Sequence, residues 1–255
     1  MPQLTAAGRR LEYQWVGDPA PGKRALVFLH EGLGSIRQWR DFPAKLSEAA
    51  GLPALVYDRY GYGQSDVLQE PRRTVRFMHE EALSSLPEVL KALEIAEPIL
   101  VGHSDGASIA LIFAGAGHPA KGVVAMAPHV FIEPICIESI RKAAKTFETT
   151  DLRERLGRYH RDAAKTFYGW ADVWRDPQFG GWDIRGEFLP GVQCPVLAIQ
   201  GYDDEYGTMA QLDEIGARVK GPCELLKLEA CGHAPFRDQP EKTLAAAAAF
   251  ARKNA

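Results

Sequence analysis

Short continuous apolar runs alternate along the chain with longer segments in which apolar residues recur every three or four positions. These runs lie at 25–29, 53–57, 99–101, 122–127, 196–200 and 224–228. They indicate strands buried on both faces of a parallel sheet, and the helical spacing between them indicates covering helices. Near the amino end, Leu11, Tyr13 and Trp15 alternate with polar residues, which predicts a β-hairpin over 4–16. We therefore predict an α/β protein with a doubly wound, mostly parallel, eight-stranded sheet.

One interval in this alternation is too long for a single connecting helix. The run at 122–127 closes with Pro128, and no comparable run follows until 196–200. Two helical faces fill the interval: Ile137, Ile140, Ala144 and Phe147 form one, and Leu152, Leu156, Tyr159, Ala163 and Phe167 form the other. We therefore expect residues 129–192 to be a helical cap inserted between two parts of the core, 1–128 and 193–255. Before the cap, the helical pattern over 77–95 contains Pro87, where we expect a kink.

The run at 99–101 leads into the segment with the most distinctive chemistry. Gly102-His103-Ser104-Asp105-Gly106 ends the predicted strand, and an Ala- and Ile-rich helical segment follows at once. Two glycines around a serine allow a sharp, strained strand-to-helix turn, the nucleophile elbow, which exposes the serine oxygen. We therefore predict that Ser104 is a nucleophile, which requires a base and an orienting carboxylate elsewhere in the chain.

Short motifs along the chain occur in an order typical of one large superfamily. They are His30-Glu31-Gly32, Asp58-Arg59-x-Gly61-x-Gly63-x-Ser65-Asp66, Gly102-x-Ser104-x-Gly106, Gly201-x-x-Asp204 and Gly232-His233. With these motifs the sequence resembles the α/β-hydrolase superfamily over nearly its full length. The resemblance implies the α/β-hydrolase fold and the chain order Ser, Asp, His for the catalytic residues. It leaves the substrate open, because one fold hosts many chemistries.

Carboxylates and a histidine follow the last two predicted strands. Asp203, Asp204 and Glu205 come directly after the run at 196–200, at the edge where open α/β sheets build their sites. The resemblance favours Asp204 as the acid, with Asp203 and Glu205 as alternatives, and it places the base at His233. In these roles His233 takes the proton of Ser104 and later protonates the leaving group, while Asp204 fixes the histidine tautomer.

An acyl-transfer site also needs two backbone N–H donors aimed at the oxyanion. We expect one donor at Asp105, directly after the nucleophile, with its side chain facing away from the substrate. The resemblance places the second donor at Gly32, with Leu33 as the fallback.

Glu31 departs from the superfamily pattern, in which glycine usually follows the histidine at this turn. Its carboxylate could stand beside the site, where it would disfavour anionic substrates and hold a water or a cationic group. The alternative is that Glu31 points away from the site and pairs with Arg59 or Arg37.

The predicted cap holds a large share of the aromatic residues, namely Phe131, Tyr159, Phe167, Tyr168, Trp170, Trp174, Phe179 and Trp182. We expect most of them to pack between cap and sheet and the rest to line an apolar pocket for an aromatic or medium acyl group. The candidate pocket residues are Glu31, Leu33, His103, Phe131, Trp170 and Trp174. For His103 the alternative is packing beneath the elbow. Basic residues on the cap would suit a coenzyme A phosphate, but interleaved acidic residues favour a solvated face.

The composition is that of an ordinary globular protein: 255 residues, 46% hydrophobic, 25% charged and a formal net charge of -3. No basic block indicates nucleic-acid binding, and no signal segment or run of about eighteen apolar residues indicates a membrane protein. We expect a cytoplasmic protein that acts on a small-molecule substrate without a cofactor or metal, and a homo-oligomer is compatible with the sequence. The four cysteines form no Cys-x-x-Cys pair, which favours reduced thiols.

Within the superfamily, a serine at the elbow excludes the branches with an aspartate nucleophile, the haloalkane dehalogenases and epoxide hydrolases. The motifs also resemble a bacterial branch in which some members are associated with breakdown of aromatic acids. The leading hypothesis is a serine hydrolase that cleaves a carboxylic ester or lactone through an acyl-enzyme on Ser104. The alternatives are a carbon-carbon bond hydrolase acting on ring-fission products, an acyl-CoA thioesterase, and a non-catalytic ligand-binding protein with the hydrolase fold.

Overall fold

The computed structural model describes residues 1–19 and 24–255. One eight-stranded sheet has the order β1-β2-β4-β3-β5-β6-β7-β8. Its strands are β1 (Gln3–Ala6), β2 (Arg9–Val16), β3 (Leu26–Leu29), β4 (Ala54–Tyr57), β5 (Ile99–His103), β6 (Gly122–Met126), β7 (Val196–Gly201) and β8 (Cys223–Leu228). β2 is antiparallel to β1 and β4, and the other neighbouring pairs are parallel. The predicted fold class is confirmed.

Helices connect the strands and cover both faces of the sheet. They are α1 (Phe42–Ala50), α2 (Phe77–Glu80), α3 (Leu86–Ala92), α4 (Asp105–Gly115), α5 (Pro134–Thr149), α6 (Leu152–Gly157), α7 (Ala163–Arg175), α8 (Ala210–Arg218), α9 (Pro235–Asp238) and α10 (Pro240–Asn254). None of them, within the described residues, combines the length and apolar character that crossing a membrane requires.

Successive strand residues belong to two separate hydrophobic cores. Leu26 and Phe28 pack in the core that contains residues of α1 and α10, whereas Val27 and Leu29 pack in the core that contains residues of α4. All four side chains are fully buried. Each such burial stabilises the fold by about 1.5–3 kcal/mol, which explains why these strands read as unbroken apolar runs.

Two predicted helical segments are interrupted. The pattern over 77–95 contains a π-helical turn, Glu81–Ser85, between α2 and α3, just before Pro87. Proline has no N–H and cannot continue the regular hydrogen-bond ladder, so the irregular turn lies where the kink was expected. The predicted single face from Leu152 to Phe167 is wrong, because α6 ends at Gly157 and α7 begins at Ala163. Asp162 caps α7 by accepting the backbone N–H of Lys165, which fixes the start of a new helix.

The segment between β6 and β7, residues 129–192, carries α5, α6 and α7. We call it the inserted segment. Its helices α5 and α7 contact each other through the stacked rings of Phe147 and Phe167, whose centroids are 4.0 Å apart. Residues of both helices also line the cavity at the nucleophile elbow, so the inserted segment forms one wall of that cavity.

Candidate active site

Ser104 occupies the turn between β5 and α4 with a backbone φ of 53° and ψ of -121°. A positive φ is strained for a residue with a side chain, and here the turn is held by close packing on both sides. A Cβ at Gly102 would overlap the backbone of Gly106 and Ala107, and one at Gly106 would overlap the carbonyl of Leu29. The two glycines of the motif are therefore required by close approach, as expected of a nucleophile elbow.

A row of hydrogen bonds connects Ser104, His233 and Asp204. The Ser104 hydroxyl lies 2.9 Å from His233 Nε2, and His233 Nδ1 lies 2.8 Å from Asp204 Oδ1. Because the carboxylate can only accept, Nδ1 is the donor and Nε2 accepts the serine hydroxyl. Asp204 is buried, whereas Asp203 and Glu205 are exposed. The fold thus brings together the three residues predicted from the sequence and leaves the alternative acids outside the row.

The electrostatics of the row follow from burial and pairing. Burial lowers the pKa of His233, but the charge and hydrogen bond of Asp204 outweigh it, so the His233 pKa is raised. Burial raises the pKa of Asp204, but His233 and the backbone N–H of Tyr206 outweigh it, so the Asp204 pKa is lowered. Asp204 is therefore an ionised carboxylate at neutral pH, and it stabilises positive charge on the imidazole.

The turn that follows β3 carries Gly32, the second predicted N–H donor. Arg59 Nη2 and His30 Nδ1 both donate to the Glu31 carbonyl, at 3.1 and 2.7 Å, and His160 Nε2 donates to the Leu33 carbonyl at 3.0 Å. These three side chains fix the turn from several directions. The indole of Trp170 lies against Gly32 so closely that a Cβ there would overlap it. Asp105, as the first residue of α4, presents an amide N–H that has no acceptor within the helix.

Glu31 stands beside the site and lines its cavity, which is the first of the two arrangements considered from the sequence alone. It does not pair with Arg59 or Arg37 through its carboxylate. Its Oε2 lies 3.4 Å from His103 Nδ1, and its Oε1 lies 3.7 Å from Arg237 Nη2. Burial raises the pKa of Glu31, but interactions with His103, His30 and Arg237 outweigh burial, so the net effect is a pKa well below its ordinary value. Glu31 is thus a paired carboxylate at the edge of the site.

A cavity of about 100 Å³ lies against Ser104, between the elbow and the inserted segment. Of the predicted pocket residues, Glu31, Leu33, Trp170 and Trp174 line it. The other lining residues are Gly32, Ser104, Asp105, His129, Cys136, Ile140, Tyr206 and His233. The walls are mostly apolar and aromatic, as is usual for a small-molecule site.

Two predicted pocket residues do not line the cavity. His103 packs beneath the elbow, where its Nε2 donates to the carbonyl of His233 at 2.7 Å. Phe131 lies in an isolated bridge with Asp183, and the guanidinium of Arg185 stacks on its ring at 4.3 Å. Both residues are therefore held by other contacts. The prediction that they form part of the pocket is wrong.

Four of the lining residues were not predicted from the sequence to belong to the site: Cys136 and Ile140 of α5, and His129 and Tyr206. His129 follows β6 and is fully enclosed, and burial lowers its pKa to about 3, so it is neutral at pH 7. Tyr206 follows the acidic stretch after β7, and its ring centroid lies 4.6 Å from that of His233. For His129 and Tyr206, a position shortly after the end of a strand was the signal available in the sequence.

The side chain of Asp105 also departs from its prediction. Instead of facing away, Asp105 lines the cavity with no exposed surface, and neither of its carboxylate oxygens has a hydrogen-bond partner among the described residues. Its charge acts on the pKa of Cys136, in the wall formed by α5, and the charge of His233 acts on Asp105 in turn. Burial raises the pKa of Asp105 to about 6, against the opposing effect of Arg59.

Among the described residues, no cluster of side chains forms a candidate metal site. No group of three or more His, Cys, Asp or Glu side chains in the ranges 1–19 and 24–255 is arranged to hold a metal ion. The four cysteines are free thiols.

Similarity to known proteins extends over most of the chain. A family model described as the alpha/beta hydrolase family matches residues 26–247. The mouse serine hydrolase BPHL is 30% identical over 230 residues, which cover 86% of this chain and 75% of that protein.

Solved structures show the same fold at low sequence identity. MGS-M2, an alpha/beta hydrolase enzyme from a Medee basin deep-sea metagenome library, matches with a TM-score of 0.79 and 21% identity, covering 98% of this chain and 96% of that one. A mutant of CumD, a meta-cleavage product hydrolase from Pseudomonas fluorescens, matches with a TM-score of 0.76 and 18% identity over 99% and 98% of the two chains. With the family model and the mouse relative, these matches show that the chain belongs to the alpha/beta hydrolase family and is a hydrolase.

Proposed function

We propose that this protein is a serine hydrolase that cleaves carboxylic esters or lactones through an acyl-enzyme on Ser104. The observation that carries the proposal is the hydrogen-bonded row of Ser104, His233 and Asp204 beside a cavity with mostly apolar walls. A serine hydroxyl is a weak nucleophile unless a base within hydrogen-bond reach takes its proton, and this geometry supplies that base. The ligand is a small molecule, because the cavity is small and its walls are mostly apolar and aromatic.

In the proposed reaction Ser104 Oγ attacks the ester carbonyl carbon while His233 Nε2 takes its proton. The negative charge on the carbonyl oxygen is stabilised by the backbone N–H groups of Asp105 and Gly32. His233 then gives the proton to the departing alkoxide, and the acyl group remains on Ser104. A water molecule, deprotonated by His233, attacks the acyl-enzyme, and the acid product leaves as Ser104 recovers its proton.

The cavity also supports a narrower choice of acyl group. Its volume of about 100 Å³ suits a short acyl group beside Ser104. Asp105 places a buried carboxylate, without a hydrogen-bond partner among the described residues, against this small space. A protonated amine near the carbonyl carbon of the substrate would supply the missing donor. We therefore propose short aminoacyl esters as the preferred substrates.

The basic residues of the inserted segment give no support to an acyl-CoA substrate. Lys142 pairs with Glu138, and Arg155 pairs with Asp151, each within the same helix. Charges neutralised locally in this way are typical of a solvated helix face. A steady-state assay separates these possibilities. It compares an acyl-CoA, a ring-fission dienone, and aminoacyl and acyl esters of matched size.

The test is intact-mass spectrometry after exposure to a fluorophosphonate, with Ser104→Ala beside the native protein. We expect one adduct on the native protein and none on the variant, since only an activated serine reacts. Ser104→Ala should also lower kcat for esters by about 10⁶. Its free energy of unfolding should stay within about 1 kcal/mol of the native value, because the replaced hydroxyl is not part of the apolar core. A native protein without adduct would favour a non-catalytic ligand-binding protein, and a variant with a tenth of native activity would exclude Ser104 as the nucleophile.

A further inference from the structure

A second buried carboxylate lies outside the row, at the start of the inserted segment. Glu133 immediately precedes α5, and its side chain accepts three hydrogen bonds. Thr208 donates its backbone N–H to Glu133 Oε2 at 2.9 Å and its hydroxyl to Oε1 at 2.6 Å, and Gln211 Nε2 donates to Oε2 at 2.7 Å. A carboxylate that accepts three donors in a buried place is a strong structural constraint, since each lost partner would leave a buried polar group unpaired.

Two of the three donors, both on Thr208, belong to the loop that carries Asp204, and the third, on Gln211, belongs to α8. This loop, residues 202–209, connects β7 to α8 and is here called the acid loop. Gln200, at the end of β7, donates to the carbonyls of Gly207 and Thr208 at 2.7 and 3.2 Å. Ser139 of α5 donates to the carbonyl of Glu205 at 2.5 Å. The acid loop is therefore tied to β7 on one side and to the inserted segment on the other.

The same inserted segment is tied to α8 through Gln211. The backbone N–H of Val130 donates to Gln211 Oε1 at 2.7 Å, and Gln211 Nε2 donates to the carbonyl of Phe131 at 3.1 Å as well as to Glu133. Gln211 has no exposed surface. Glu133, Gln211 and Thr208 thus form one buried network that joins the first residues of the inserted segment to the acid loop.

We propose that Glu133 is a positioning residue that holds the acid loop in the register at which Asp204 meets His233. The proposal rests on the role of the row in the proposed function, but the geometry it concerns can be measured without turnover. Glu133 touches neither the cavity nor Ser104, so its effect passes through the loop. Through Glu133, a displacement of the inserted segment would also displace Asp204.

The geometry of the acid loop explains why a small displacement matters. The backbone N–H of Tyr206 donates to Asp204 Oδ1 at 2.8 Å, the same oxygen that faces His233 Nδ1. The Tyr206 ring also packs on the His233 ring and lines the cavity. A shift of the loop therefore moves the acid, the backing of the base and one cavity wall together. Misplacement by about 1 Å can cost about 10²-fold in rate.

The first experiment compares Glu133→Ala with Glu133→Gln. The glutamine oxygen can replace Oε2 and accept from Thr208 N–H and Gln211, while its NH₂ group faces the Thr208 hydroxyl, which can turn to accept. We expect Glu133→Ala to lower kcat for an ester by about 10–100-fold and Glu133→Gln to stay within about threefold of the native protein. Glutamine losing as much as alanine would overturn the proposal, because the contacts and not the charge are argued to act.

The second readout is the pKa of His233, followed by NMR of its imidazole and by the acidic limb of kcat/KM. The charge of Asp204 raises that pKa, so a displaced Asp204 should let it fall by about one unit in Glu133→Ala and leave it unchanged in Glu133→Gln. The acidic limb should move to lower pH by the same amount. An unchanged pKa in a folded Glu133→Ala would overturn the proposal. Six other ionisable groups lie around His233: Glu31, His103, Asp105, His129, Glu205 and Tyr206.

Two further variants keep the test decisive. Glu81→Ala removes a buried carboxylate bonded to Tyr57 on another part of the molecule, so it should cost stability without moving the His233 pKa. If Glu133→Ala does not fold, Thr208→Val is the substitute, because it removes only the hydroxyl donor. It should also lower the His233 pKa, but by a smaller amount than is expected for Glu133→Ala. A native protein that reacts with no fluorophosphonate would end the proposed function, yet the NMR comparison would still decide the role of Glu133.

Discussion

The two sides of Ser104 differ in what their carboxylates contact. On the His233 side, Asp204 is joined by short hydrogen bonds to the imidazole and to a loop amide. On the Asp105 side, a carboxylate with no exposed surface has no hydrogen-bond partner among the described residues. In the proposed function the first acid therefore belongs to the reaction machinery, whereas the second is the group proposed to bind a ligand amine. Substitutions on the two sides should therefore have different kinds of effect.

Of the two sides, the one that contains Asp204 should show the larger effect. Asp204→Asn should lower kcat by about 10⁴, because an amide can no longer hold His233 in the tautomer that accepts the serine proton. Steady-state kinetics with a chromogenic ester measure the change. Asp203→Asn, an exposed neighbour, is the matched control and should leave kcat close to native. A larger loss in Asp203→Asn would show that the acid is assigned to the wrong residue.

Substitution of Asp105 should change how the enzyme discriminates between substrates. Asp105→Asn keeps the side-chain shape and the backbone N–H but removes the charge, so kcat/KM for a short aminoacyl ester should fall by about 10–100-fold. For the acyl ester of the same size without the amine, kcat/KM should change by less than about threefold. The ratio of the two values is the measurement. If the native protein hydrolyses both esters equally well, the carboxylate does not bind an amine.

The smallest expected effect comes from Glu31, the paired acid at the edge of the site. Its folded-state pKa is depressed, because interactions with His103, His30 and Arg237 outweigh burial. A depressed carboxyl pKa contributes stability that is fully present above the unfolded-state value of about 4.5 and is lost progressively as pH falls from that value through the folded-state pKa. Glu31→Gln should therefore be less stable than the native protein by about 1–2 kcal/mol at pH 7, and the difference should be smaller near pH 3. Urea unfolding at both pH values tests this, and a constant difference would contradict it.

Much of the fold and of the row could be predicted from the sequence, for a local reason. Apolar runs report burial on both faces, so the strands of the parallel sheet were located directly. The elbow is a turn that only closely spaced glycines permit, so Ser104 follows from its motif, whereas Asp204 and His233 were chosen by the resemblance among residues that follow strand ends. The break between α6 and α7 was missed, because a continuous helical pattern does not reveal a cap such as Asp162.

Side-chain partners, by contrast, are decided by elements that are distant in the chain. Glu31 meets His103 and Arg237 only because β3, β5 and α9 converge at one end of the sheet. Asp105 was expected to face away, and only the packed structure shows that it lines the cavity while Arg59 donates to other carbonyls. Local patterns are enough to predict the sheet and the elbow, and the resemblance adds the order of the row. The pairing of the carboxylates, including the absence of a partner for Asp105 among the described residues, emerges only when the chain is packed, because pairing depends on distances that no local pattern encodes.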